Sequence, residues 1–148
     1  MQLIKTGAAT GNVSGLIEVR NKSDRDCDLY GYAGVEFLDA RGRPLPTHVT
    51  WSRSSFFTNG DAPLDVVGLP AGTPPINRDH PVPGHAYIPL AWNDVMEPCV
   101  TPIQLRITPP DATDSLVISA SPPGIAPGQL EICSDGAVTV NPTRAASY

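Results

Sequence analysis

The stretch HAYIPLAW at residues 85–92 decides the fold class, together with IQLRIT at residues 103–108. Apolar side chains recur at every second position in both, which is the pattern of a strand with one face in a core. In the first stretch the predicted core face consists of Ala86, Ile88, Leu90 and Trp92. The second alternates most cleanly in the chain, and this predicts a central strand with one face in water.

Pro89 interrupts the first of these predicted strands. Proline has no backbone N–H and cannot donate a hydrogen bond to a neighbouring strand. We therefore expect this strand to lie at the edge of a sheet or to carry a bulge at Pro89.

Further short runs show the same period of two, and each is bounded by turn residues such as Asn, Asp, Gly and Pro. They lie at residues 3–5, 15–20, 34–38, 48–51, 64–67, 115–120 and 137–140. Short strands at this spacing, without any long helical period, predict an all-β sandwich. A chain of 148 residues is long enough to bury a core of its own. We therefore expect one β-sandwich domain over residues 1–148.

One long loop interrupts the succession of predicted strands at residues 52–84. This segment is rich in Pro and Gly, of which the whole chain has 17 and 13. Proline at this density prevents a continuous ladder of hydrogen bonds, so we expect a long excursion with one short strand inside it.

Aromatic residues gather where this loop begins, beside Ser, Asn and Gly. Rings supply contact area at low entropic cost, and the small polar residues adapt to a partner. Two interpretations are open: the rings fold inward and cap the sandwich, or the loop docks on a neighbouring subunit, a coat protein or an envelope partner. The candidate interaction loop consists of Trp51, Phe56, Phe57, Asn59 and Asp61.

Composition excludes some classes of partner. The chain has 15 acidic and 10 basic residues, and its net charge of −5 argues against nucleic-acid binding, which needs clustered Lys and Arg. No apolar run approaches the roughly 18 residues of a membrane span. Residues 1–15 also lack the apolar core of a signal peptide.

Alternating acids at Asp24, Asp26 and Asp28 supply half of a calcium-binding loop. The glycine that such a loop needs is replaced by Leu29, and its bidentate glutamate by Val35. A solvated turn is therefore the better interpretation, and we expect no metal site here.

No motif for catalysis or for a cofactor has its required neighbours. The histidines, His48, His80 and His85, lack the spacing of a zinc pair. There is no Gly-x-Ser-x-Gly elbow, and the glycines at residues 7–11 lack the lysine of a phosphate loop. We predict no catalytic residues, no cofactor and no enzyme activity.

A series of motifs in fixed order resembles a known family. They are CDLYGYAGVEFLDARGRPL at residues 27–45, VPGHAYIPLAW at 82–92, LRITPPD at 105–111 after Cys99, and AVTVNP at 137–142 after Cys133. In these four motifs the chain resembles the actinobacterial family called domain of unknown function 4232. The resemblance implies an immunoglobulin-like β-sandwich in secreted or lipid-anchored proteins, without an assigned activity.

Three cysteines cannot all pair within one chain. The resemblance implies a disulfide between Cys99 and Cys133. It also implies a cysteine near the N-terminus as the partner of Cys27, and none precedes Cys27 here. Cys27 is then expected to be a buried free thiol or the partner of a cysteine outside these residues.

These observations favour a non-catalytic surface or accessory module that attaches to a protein or a glycan. Its expected location is extracellular or in the cell envelope of an actinobacterium. The alternative is a structural or decoration protein on the virion surface of an actinobacterial phage, packed against neighbouring subunits, which would need no signal peptide. An uncharacterised hydrolase or a calcium-dependent binder is a third possibility.

Overall fold

Ten β-strands form the described part of the chain. The structure, a computed structural model, describes residues 1–72 and 84–145, without the side chains of Lys5 and Thr6. The strands are β1 (Gln2–Ala9), β2 (Asn12–Arg20), β3 (Cys27–Tyr30), β4 (Gly34–Leu38), β5 (His48–Trp51), β6 (Val66–Leu69), β7 (His85–Asn93), β8 (Gln104–Thr108), β9 (Leu116–Ser119) and β10 (Ala137–Val140). No helix occurs in these two ranges, and the predicted all-β class is confirmed.

The strands form three open sheets. The largest has the order β1-β2-β7-β10-β5, and the others are β4-β8-β9 and β3-β6. Every neighbouring pair is antiparallel except β5 and β10, which run parallel at one edge of the largest sheet.

Side chains from all three sheets share one buried cluster, which is the core of a β-sandwich. The five-stranded sheet contributes Ile17, Ile88 and Val138, among others. The facing layer contributes Phe37 and Leu105 from the three-stranded sheet, and Leu29 and Leu69 from the two-stranded sheet. The predicted core face of residues 85–92 lies in this cluster.

β8 is the central strand that the sequence predicted. It lies between β4 and β9, and its side chains alternate between buried and half-buried along the whole strand. On its outer face Arg106 Nη1 donates to Glu36 Oε2 at 2.7 Å, whereas Leu105 and Ile107 are fully buried on the inner face.

The predicted edge position of residues 85–92 is wrong, because β7 lies in the middle of the five-stranded sheet. Pro89 is accommodated where the pairing with β10 ends: Asn141 N–H donates to Pro89 O at 3.0 Å, and Pro89 has no N–H to return. The next pair is Tyr87 with Arg144. One extra residue therefore lies on the C-terminal side, so the irregularity expected at Pro89 takes the form of a bulge in the facing segment.

Two other strands, β3 and β6, differ from the prediction made from the sequence. The sequence did not predict β3, whose only buried side chain is Leu29. It placed the strand in the long loop at residues 64–67, whereas β6 is Val66–Leu69. Residues 73–83 of that loop lie outside the described residues.

Replacing Leu105 by Ala tests the packing of the two layers. Leu105 is 0% exposed and faces Phe37 and Ile118 on the neighbouring strands. We expect the free energy of unfolding to fall by about 2–5 kcal/mol in chemical denaturation, because the truncated side chain leaves a cavity. The matched control is Val117→Ala on the exposed face, which should change it by less than about 0.5 kcal/mol. Equal effects of the two changes would contradict the packing described here.

Candidate interaction loop and cysteines

The loop that follows β5 is attached to the strand beside it. Ser52 N–H donates to Val140 O at 3.1 Å, which prolongs the pairing of β5 with β10 by one bond. Asn141 Nδ2 donates to Ser52 O at 2.8 Å, and Asn141 is buried. Both backbone groups of Ser52 are thus held by the segment that ends β10.

Hydrogen bonds within the loop fix its shape. Arg53 and Ala62 close it, because Arg53 Nε donates to Ala62 O at 2.8 Å and Ala62 N–H donates to Arg53 O at 2.6 Å. Inside, Ser55 N–H donates to Thr58 Oγ1 at 2.7 Å, and Thr58 N–H donates to Ser55 O at 3.2 Å. A segment whose ends meet and whose polar groups bond internally is a compact surface loop with a defined tip.

Phe56 and Phe57 occupy the tip, and both rings are exposed. Their exposed fractions are 61% and 39%, and the rings meet edge to face with centroids 5.1 Å apart. The interpretation that these rings fold inward to cap the sandwich is therefore wrong. Asn59 and Asp61 are exposed in the same loop.

Trp51 is exposed as well, at the end of β5. Its indole N–H donates to Ala33 O at 3.1 Å, and its ring stacks on Tyr32 with centroids 5.8 Å apart. The indole is 60% exposed, although one hydrogen bond fixes its orientation. The sequence did not indicate Tyr32 as its partner, because Tyr32 lies in the connection between β3 and β4, far from Trp51 in the chain.

Cys99 and Cys133 form a disulfide, as the resemblance implied. The two residues are 34 positions apart, and a mutual pair of backbone hydrogen bonds joins Val100 and Ile132 beside them. Closing a loop of this length stabilises a domain by about 3–4 kcal/mol in the chain-entropy model.

Cys27 is the free cysteine, and it is exposed rather than buried as expected. It begins β3, where acidic residues flank it on both sides. Partial burial, followed by the negative charges of Asp28 and Asp26, raises the pKa of the Cys27 thiol above its ordinary value. A raised pKa leaves a smaller fraction of the thiol as the reactive thiolate at neutral pH.

The acidic turn before Cys27 has a structural bond of its own. Asp26 Oδ1 accepts a hydrogen bond from Ala71 N–H at 2.8 Å, while Asp24 and Asp28 are exposed. In the part of the chain that the structure describes, no three His, Cys, Asp or Glu side chains are grouped to hold a metal ion.

The two histidines that the structure describes lie in different environments. His48 Nε2 lies 3.7 Å from Asp135 Oδ2, and both side chains are exposed. His85 Nδ1 lies 2.9 Å from Glu18 Oε1 in a buried pair on the outer face of the five-stranded sheet. His80 lies outside the described residues. The sequence missed the pairing of Glu18 with His85, which depends on the register of β2 and β7.

Comparison with known proteins finds one family model, described as Domain of unknown function (DUF4232), which matches residues 1–144. The search of curated proteins and the search of solved structures each find no match.

Cys27 should be the one thiol that a titration of the denatured, unreduced protein detects. In the native protein we expect iodoacetamide to modify it more slowly at neutral pH than an unhindered cysteine, because its raised pKa leaves less thiolate. Asp28→Asn removes a negative charge beside the thiol, so the midpoint of the pH–rate profile should move to lower pH. The control is Asp111→Asn, which removes a negative charge from the turn between β8 and β9. An unchanged midpoint in Asp28→Asn would contradict this electrostatic account.

Asn141→Ala tests how the loop is held. The change leaves the carbonyl of Ser52 without its side-chain donor, and should cost about 1–3 kcal/mol of unfolding free energy. Limited trypsin digestion should then cleave faster after Arg53, which the loop holds against Ala62. Asn59→Ala is the control, because this residue is exposed in the same loop. Equal cleavage rates in the two variants would show that Asn141 does not anchor the loop.

Proposed function

This chain belongs to the DUF4232 family. We propose that it is a non-catalytic surface or accessory module that attaches to a partner through its candidate interaction loop. The setting that we propose is extracytoplasmic, at the cell envelope or outside the cell of an actinobacterium. The partner contacts Phe56 and Phe57 first, since these two rings form the loop tip.

The exposure of paired aromatic rings on an internally bonded loop is the observation that supports this role. Phe56 is 61% exposed. Covering an exposed phenylalanine with a partner removes apolar surface from water, which favours the complex. The bonds between Arg53 and Ala62 and between Ser55 and Thr58 hold the tip in shape before any partner arrives. A preformed loop loses little conformational entropy on binding, so more of the contact energy contributes to affinity.

The disulfide supports the proposed setting. Disulfides persist in oxidising compartments and are rare where glutathione and thioredoxin keep thiols reduced. The Cys99–Cys133 bond is therefore consistent with a place outside the cytoplasm. Among the described residues, no helix has the length and apolar character needed to cross a membrane.

The proposal of a non-catalytic role follows from what surrounds the reactive side chains. Cys27, an exposed nucleophile, has a raised pKa and acidic neighbours rather than a histidine base. His85 is paired with Glu18 and buried, so its ring cannot reach a substrate. His48, the exposed histidine of the described residues, lies beside Asp135.

Exchanging both phenylalanines for serine tests the surface role. Phe56→Ser with Phe57→Ser should move the thermal midpoint by less than about 3 °C, because neither ring lies in the core. A fall of about 10 °C or more would assign the rings to the fold instead.

Site-specific photocrosslinking tests attachment in the organism that makes the protein. A benzophenone amino acid placed at Phe56 or Phe57 should give a discrete crosslinked species on illumination. The control carries the same amino acid at Val117, which is 52% exposed on the opposite layer. The absence of a crosslink at the tip, or the same product from Val117, would count against the proposed role.

A further inference from the structure

We propose that a trough on the outer face of the five-stranded sheet, beside Phe56, binds a neutral oligosaccharide. This inference rests on the attachment role proposed above and names the class of its ligand. The trough has a volume of about 240 Å³. Its polar side chains are Asn12, Thr50, Asn93, Ser134 and Thr139.

The trough follows from the register of four strands. Thr50 lies opposite Thr139, and Thr139 lies opposite Ala91, so these side chains form a row across β5, β10 and β7. Asn12 lies opposite Asn93 in the adjoining row, on β2 and β7. Residues directly opposite each other share one face of a sheet. The neighbours of this face, such as Val138 and Trp92, point into the core instead.

Two small side chains line the trough. They are Ala91 and Ala137, and a larger residue at either position would reduce its volume. Phe56 forms one wall, and its exposed ring lies beside the alanines and threonines of the sheet. The bonds that hold the loop therefore also hold the wall.

The hydrogen-bonding groups of the trough are available to a ligand. Within the described residues, the side chains of Asn12, Thr50, Thr139 and Ser134 have no hydrogen-bond partner. Asn93 Oδ1 accepts bonds from the N–H groups of Val95 and Met96 at 3.0 and 2.8 Å. Its oxygen is thus occupied, and its NH₂ group remains to donate.

These groups fit a saccharide better than other ligands. Among the residues that the structure describes, no charged side chain lines the trough, so an anionic or cationic ligand would lose hydration without a counter-charge there. A sugar offers hydroxyls that donate and accept, and an apolar C–H face that can pack on Phe56. An extended peptide binds by adding a strand at a sheet edge, whereas Ala91 and Thr139 in the middle of the trough lie on β7 and β10, which have a paired strand on each side.

The test is a titration of isotope-labelled protein with a panel of neutral hexasaccharides: cello-, malto-, manno- and xylohexaose. Backbone amide shifts in the NMR spectrum report where each binds. We expect at least one of them to shift the amides of Thr50, Ala91, Asn93 and Thr139, at concentrations up to about 10 mM.

Two variants separate the trough from the fold. Thr139→Val removes one hydroxyl at nearly constant shape, and Ala137→Leu places a larger side chain in the trough from an exposed position. Each should weaken binding by about tenfold, while the spectrum away from the trough stays unchanged. Val117→Ser, on the other layer, is the control and should leave binding as it is.

Two results would overturn the inference: no shift with any hexasaccharide, or shifts that Thr139→Val and Ala137→Leu leave unchanged. Crosslinks at Phe56 without any saccharide-induced shift would leave the attachment role in place and remove the saccharide. Saccharide binding that both variants weaken, and that Val117→Ser keeps, supports the trough as the site.

Discussion

The pairing of β2 with β7 is the interaction on which the rest of the structure depends. The two strands are nine residues each and pair along their full length, from Asn12 opposite Asn93 to Arg20 opposite His85. Their inner faces supply Ile17 and Ile88, both fully buried, to the shared core. Their outer faces carry the buried pair of Glu18 and His85. Every other strand of the largest sheet is added to this pair, β1 on one side and β10 on the other.

The candidate interaction loop is positioned by a succession of contacts that begins at the pair of β2 and β7. β10 pairs with β7, and β5 pairs with β10. Pro89 ends the pairing of β7 with β10, because it accepts a bond from Asn141 and cannot return one. The chain turns away from the regular ladder here, and the side chain of Asn141 reaches Ser52 at the base of the loop. A proline in a central strand thereby helps to place a surface loop on the neighbouring strands.

Much of the fold could be predicted from the sequence, because the alternation in a short run shows which side chains face the core and which face water. Gln104–Thr108 shows this most clearly, since its apolar and polar positions alternate without exception. β3 could not be predicted this way: Leu29 is its only buried residue, so it has no alternation to detect. The central position of Pro89 was missed because the sequence does not show where a neighbouring strand ends. The direction of Phe56 and Phe57 was also beyond the sequence, because it depends on bonds from Arg53 and Asn141 to distant carbonyls.

The parallel pairing of β5 with β10 forms late while the chain is synthesised. Residues 48–51 leave the ribosome long before residues 137–140, with which they pair. Until β10 emerges, β5 lacks its one neighbour among the described strands, and Ser52 lacks the partners that bind its N–H and its carbonyl. Such a pair of distant segments forms late, because a long stretch of chain must first be closed. The surface proposed to bind the partner is thus completed only when the whole sandwich is, so an unfinished chain cannot present it.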